Sequence, residues 1–138
     1  MTRKAHCCCG SCSIEVEGEP LLNAICHCAN CKRRTGSAFG WSAYFADEQV
    51  TGRTGDFGLY EITGANPQRR WFCAACGTTL LWKAAGWPSW TGIAGGCFTG
   101  TPLPRTASPL IALTVQALPE GLGTPSALRR RAMASSAA

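Results

Sequence analysis

The sequence predicts a single, mainly β domain organised around cysteine clusters. Three observations carry that expectation. The chain has 138 residues, enough for one compact domain and few for two. Its 16 Gly and 8 Pro punctuate short alternating runs, as many short strands and turns require. Its ten cysteines fall mostly into three tight groups, which suits ligation between small sheets.

The elements follow in order. Residues 1–6 read as a loose start. SCSIEVEG (11–18) alternates, with Ile14 and Val16 on one face, and predicts a strand. LLNAIC (21–26) predicts the next. RRTGSAF (33–39) is short and supports one helical turn at most. WSAYFA (41–46) alternates again, with Trp41, Ala43 and Phe45 opposite Ser42, Tyr44 and Ala46. GLYEIT (58–63) is a strand, and GANPQ (64–68) is a turn. RRWF (69–72) and TTLLW (78–82) are strands that bracket Cys73 and Cys76. AAGWPSW (84–90) is a loop, and WTGIAGGCF (90–98) a last strand. LIALTVQAL (110–118) suits strand or helix. The domain is expected over residues 1–118, with a disordered tail over 119–138.

Composition narrows the function classes. The chain is 46% hydrophobic and 15% charged, so it can bury a core and is not a disordered polymer. Its net charge is +5, but Arg129, Arg130 and Arg131 supply three of those charges, leaving +2 for the rest. A nearly neutral body argues against a nucleic-acid partner. The start, MTRKAHCCCGSC, lacks an apolar stretch, and no run reaches the roughly 18 apolar residues of a membrane span. No membrane partner and a cytoplasmic location are therefore expected. Thiols stay reduced there, and clustered reduced cysteines point to metal rather than to disulfides.

Cys73 and Cys76 form a C-x-x-C turn followed by Gly77, which brings two thiolates to one ion. Cys7 and Cys9, followed by Gly10, offer a second pair; Cys8 between them should point the other way. Cysteines 7, 9, 73 and 76 would complete a closed four-thiolate site. Cys12 reads as a core residue in phase with Ile14 and Val16. Cys26, Cys28 and Cys31 form C-x-C-x-x-C, three ligands with a fourth position open, the arrangement of a catalytic zinc. His27 or Cys97 could instead close that tetrahedron, although His27 is expected to face away. His6 is expected to be solvated at the N-terminus.

C-x-C-G at 7–10, CHCANCKRRTGSAF at 26–39 and RWFCAACGTTL at 70–80 resemble the motifs of the glutathione-dependent formaldehyde-activating enzyme family, relatives of centromere protein V. The likeness runs from about residue 6 to residue 100. It implies an Mss4-like fold of small coiled β-sheets and two Zn²⁺ ions. One would be structural, on Cys7, Cys9, Cys73 and Cys76; one would be of catalytic type, on Cys26, Cys28 and Cys31. The implied activity is that of a carbon–sulfur lyase run in reverse, joining glutathione and formaldehyde into S-hydroxymethylglutathione. The family's C-terminal histidine- and tryptophan-containing segment has no counterpart after residue 102.

The expected function is therefore zinc-dependent carbon–sulfur chemistry on a small-thiol–formaldehyde adduct, with a zinc-activated thiolate. The alternative is a non-catalytic zinc module that binds a protein. Lys32, Arg33 and Arg34 could offset the site's charge or grip carboxylates, or form a solvated face. Trp41, Tyr44 and Phe45 could line a pocket, with core packing the default for an alternating strand, and edge covering is the default for Arg69 and Arg70.

Overall fold

A computed structural model describes residues 1–100 and Leu103. In chain order it forms β1 (Thr2–His6), β2 (Ser13–Glu17), β3 (Leu22–Cys26), α1 (Ala29–Thr35) and β4 (Gly40–Ala46). There follow β5 (Val50–Thr54), β6 (Phe57–Ile62), β7 (Gln68–Cys73), β8 (Thr79–Ala84) and β9 (Trp90–Ala94). Short 3₁₀ turns occupy Asp47–Gln49 and Gly95–Cys97. Two antiparallel sheets result. One has three strands in the order β1-β2-β5, and the other six in the order β3-β4-β9-β8-β7-β6. No helix among the described residues is long and apolar enough to cross a membrane.

The expected strands at 11–18, 21–26, 41–46, 58–63, 69–72 and 78–82 are present. Residues 1–6 are a correction: they form edge strand β1, paired with β2 as Arg3↔Val16 and Ala5↔Ile14. The alternation is hidden because the long buried side chain is an arginine. Arg3 is 4% exposed, and its charge is met by Glu19 at 2.7 Å and the Gly18 carbonyl. Strand β5 was not anticipated; VTGRT carries a glycine at Gly52, opposite Glu15. The expected last strand stops at Ala94. A Cβ at Gly95 would lie 2.4 Å from the Trp41 indole, so the chain turns where that ring covers it. The 84–90 loop is tighter than expected, with Ala84 in β8 and Trp90 in β9. Residues 110–118 and the 119–138 tail lie outside the described residues.

The helix also differs from expectation. It begins at Ala29, with Cys28 as N-cap accepting the Cys31 N–H at 3.3 Å. Gly36, at φ 63°, ends it in the left-handed conformation.

One apolar cluster draws on both sheets: Ala5, Ile14 and Val16 from the smaller, and Ala43, Phe45, Leu81 and Ile93 from the larger. In the larger sheet Ala43 stands opposite Ile93, Ile93 opposite Leu81, and Leu81 opposite Trp71. That row faces the core. The adjacent row is Leu22, Tyr44, Gly92, Trp82 and Arg70, and strand alternation sends its side chains to the opposite face. Tyr44 therefore leaves the core while Phe45 enters it.

Candidate functional site

Residues 7–12 connect β1 to β2, and residues 74–78 connect Cys73 at the end of β7 to β8. The two turns meet. The Sγ atoms of Cys7, Cys9, Cys73 and Cys76 all lie within 4.8 Å of one another, a set that could hold a metal ion. Cys7 and Cys9 are 3.5 Å apart, and Cys9 and Cys73 are 3.7 Å apart. Each turn closes through a backbone bond, Gly10 N–H to Cys7 O at 3.1 Å and Gly77 N–H to Cys73 O at 2.8 Å. Gly10 and Gly77 take φ of 78° and 77°, a conformation strained for any residue with a Cβ.

Polar groups favour the charged form of Cys73 and Cys76, whereas at Cys9 the lowering by Ser11 is outweighed by Cys7, burial and Cys76, and its pKa rises. The Ser11 hydroxyl, 3.3 Å from Cys73, and the Cys76 N–H lower the Cys73 pKa to about 5. Thr78 lowers Cys76 to about 7 through its hydroxyl at 3.2 Å and its N–H. The Cys12 N–H donates to Cys7 at 3.2 Å. Thiolate is the metal-binding form, so Cys73 and Cys76 are prepared for a cation. Cys8 is exposed and Cys12 is fully buried.

The second group sits at the other end of the larger sheet. Cys26 ends β3, Cys28 caps α1 and Cys31 lies in its first turn, three residues on and hence on the same face. Their sulfurs also lie within 4.8 Å of one another. Burial, then the neighbouring Cys28 and Cys26, pushes Cys31 up to about 12. Burial opposes the charge on Cys28 too, yet the Cys31 N–H and its neighbouring thiols bring its pKa down. Bare, the trio resists holding three negative charges; a cation removes that resistance. Among the described residues no fourth His, Cys, Asp or Glu joins the trio. His27 packs near Phe39, ring centroids 6.0 Å apart, and Cys97 lines a separate cavity of about 480 Å³.

The trio opens onto a cavity of about 520 Å³. Ser42 and Tyr44 of β4 line it, with residues 65–67 and Gln68 at the start of β7, and Ala84 at the end of β8 with residues 85–87. Here the structure adds residues that sequence reasoning assigned elsewhere by default. Tyr44 Oη accepts from Trp82 Nε1 at 3.2 Å. That bond crosses β9 and exists because position 92 is glycine: a Cβ there would lie 2.2 Å from Trp82 Nε1. Trp87 meets Tyr44 edge-on, centroids 4.8 Å apart. The phase of Tyr44 against Phe45 along β4 was the available signal.

The basic run also divides. Lys32 and Arg33 are exposed, while Arg34 is half-buried with its guanidinium 4.3 Å from the Trp82 ring centroid. Gly40 makes room for it, since a Cβ there would lie 2.7 Å from Arg34 Nη2 and 3.0 Å from Cys31 Cβ. Arg69 is exposed and pairs with Glu61 at 2.9 Å. Arg70 does not cover an edge. It lies on an interior strand and grips Gln68 Oε1 at 3.1 and 3.0 Å. Burial and the Arg34 charge depress its pKa, and Cys31 and Cys28 oppose that shift, so Arg70 lies within electrostatic reach of both Arg34 and the trio.

No curated protein matches the chain. A solved protein from Rhodobacter sphaeroides is similar at TM-score 0.57 and 24% identity, covering 71% of this chain and 89% of that one, a likeness of fold. The family model of the glutathione-dependent formaldehyde-activating enzyme matches residues 2–116, and the chain belongs to that family.

Proposed function

We propose that the protein makes or breaks the carbon–sulfur bond of a formaldehyde adduct of a small thiol, with two zinc ions as cofactors. One observation carries the reading: three clustered cysteines open onto a cavity, while four others form a closed set. The donors suit zinc. Tetrahedral zinc with bonds of about 2.3 Å sets sulfurs roughly 3.8 Å apart, and the closed set has neighbours at 3.5 and 3.7 Å. Cys7, Cys9, Cys73 and Cys76 would hold a structural ion, and Cys26, Cys28 and Cys31 an ion at the cavity end. Zinc there supplies positive charge that favours the thiolate form of an incoming thiol.

The chain's own residues do the rest. Arg34 and Arg70 offset the negative charge gathered on three cysteines. Tyr44 and Trp87 form an aromatic wall that shields the reacting atoms from water. In adduct formation the sulfur attacks the aldehyde carbon, the C=O π pair moves to oxygen, and the proton shed by the thiol ends on that oxygen. Adduct breakdown reverses each move. Tyr44 Oη already accepts from Trp82, which leaves its proton to stabilise charge developing on the ligand oxygen.

The test pairs native mass spectrometry with NMR exchange between formaldehyde and its adducts with glutathione and other small thiols. The expected result is two zinc ions and exchange above background in the wild type. Cys28→Ser should keep one zinc and lose exchange. A wild type with no catalysed exchange would leave the protein-binding alternative ahead.

A further inference from the structure

The family name specifies glutathione, but the lining of the cavity has a different chemistry. We infer that the preferred thiol is uncharged, with an apolar or aromatic body that lies against Trp87. The inference rests on the reading that the Cys26, Cys28 and Cys31 end of the cavity receives the sulfur. A volume of about 520 Å³ is far larger than formaldehyde requires and lies within the range of sites for drug-sized ligands. Something sizeable is bonded to that sulfur.

Among the described residues no Lys, Arg, Asp or Glu lines this cavity. Its walls are apolar at Pro67, Ala84, Ala85 and Trp87, and neutral at Asn66 and Gln68. Neither nearby guanidinium group lines it. Arg34 lies on Trp82 and lines the other cavity, its Nη2 buried on the Cys31 side without a hydrogen-bond partner, and Arg70 holds Gln68. An adjoining groove of about 450 Å³ does carry Glu61, Arg69 and Lys83. Those charges are already met, Arg69 by Glu61 and Lys83 by Asp47. Glutathione brings two carboxylates and an ammonium, and burying any of them unpaired is costly.

Trp87 gives the positive side of the argument. It remains 39% exposed, although Tyr44 braces it at 4.8 Å and Trp90 at 5.4 Å between centroids. A braced indole facing a cavity offers a large apolar plate at little entropic cost. A flat or branched apolar group would cover it.

The experiment measures binding of three probes to the zinc-loaded full chain: phenylmethanethiol, glutathione, and phenylmethanol, which has the same ring without sulfur. Phenylmethanethiol should bind at least about tenfold more tightly than either of the others, consistent with burial of one ring. Trp87→Ala should shrink its lead over glutathione to about threefold or less at unchanged zinc content. Glutathione binding as tightly as phenylmethanethiol would overturn the inference. So would equal binding of phenylmethanol, or a full preference retained in Trp87→Ala. The two readings separate in the exchange assay. Catalysed exchange with glutathione preferred sinks this inference alone; the expected binding pattern with no exchange on any thiol sinks the proposed reaction alone.

Discussion

Tyr44 shows how one residue's phase carries chemical consequence. Its ring belongs to an aromatic group with Trp82, Trp87 and Trp90, so Tyr44→Phe preserves shape and removes one hydroxyl. The expected outcome is a fall in exchange rate of about tenfold to hundredfold with both zinc ions retained, read by NMR exchange and native mass spectrometry. An unchanged rate would remove Tyr44 from the chemistry. Cys28 carries two duties, as trio member and as cap of α1. Cys28→Ser keeps a capping oxygen, so its loss of zinc reads the sulfur and not the helix.

Among the elements, β9 acts as a spacer. Gly92→Ala would drive its Cβ into the Trp82 indole and break the bond to Tyr44. Thermal or urea unfolding should show a loss of about 1–3 kcal/mol, the cost of overpacking. The turn at Asp47–Gln49 is tied to the sheet differently. Asp47 accepts from Lys83 on β8 and from Thr91 on β9, the latter at 2.8 Å. Burial works against its charge, but those donors prevail and hold its carboxyl below the usual range. A depressed folded pKa stabilises above the unfolded value of about 3.9 and loses that contribution as pH falls through the folded value. Asp47 is 41% exposed, so Asp47→Asn should cost under about 1 kcal/mol at neutral pH. In urea melts followed across pH, that gap should close below about pH 4.

For the whole molecule, the four-cysteine set joins the β1–β2 turn to the β7–β8 turn, and with them the smaller sheet to the larger. The three-cysteine set joins only β3 to α1. Chelation should therefore proceed in two phases. The ion at the cavity end should leave first with little change in circular dichroism. The second should leave together with loss of the β signal, because binding energy at a closed site is folding energy. Simultaneous release of both ions with unfolding would contradict this division of roles.

How much was legible follows from the range of each interaction. The turns at Cys7–Gly10 and Cys73–Gly77 could be read directly, because a few adjacent residues and one glycine set the sulfur geometry. The strand at 41–46 announced itself by alternation. The first strand did not, since its buried long side chain is Arg3, whose charge is met outside its own strand. Nor did the cavity face. Tyr44, Trp82 and Arg70 share a row only through the registers of β4, β9, β8 and β7, and Arg34 reaches that row from a helix. Sequence by itself determined the mainly β class and the local cysteine turns, because near neighbours impose them. Which residues surround the cysteine trio was decided by tertiary structure, because strand pairing joins positions that no short window contains.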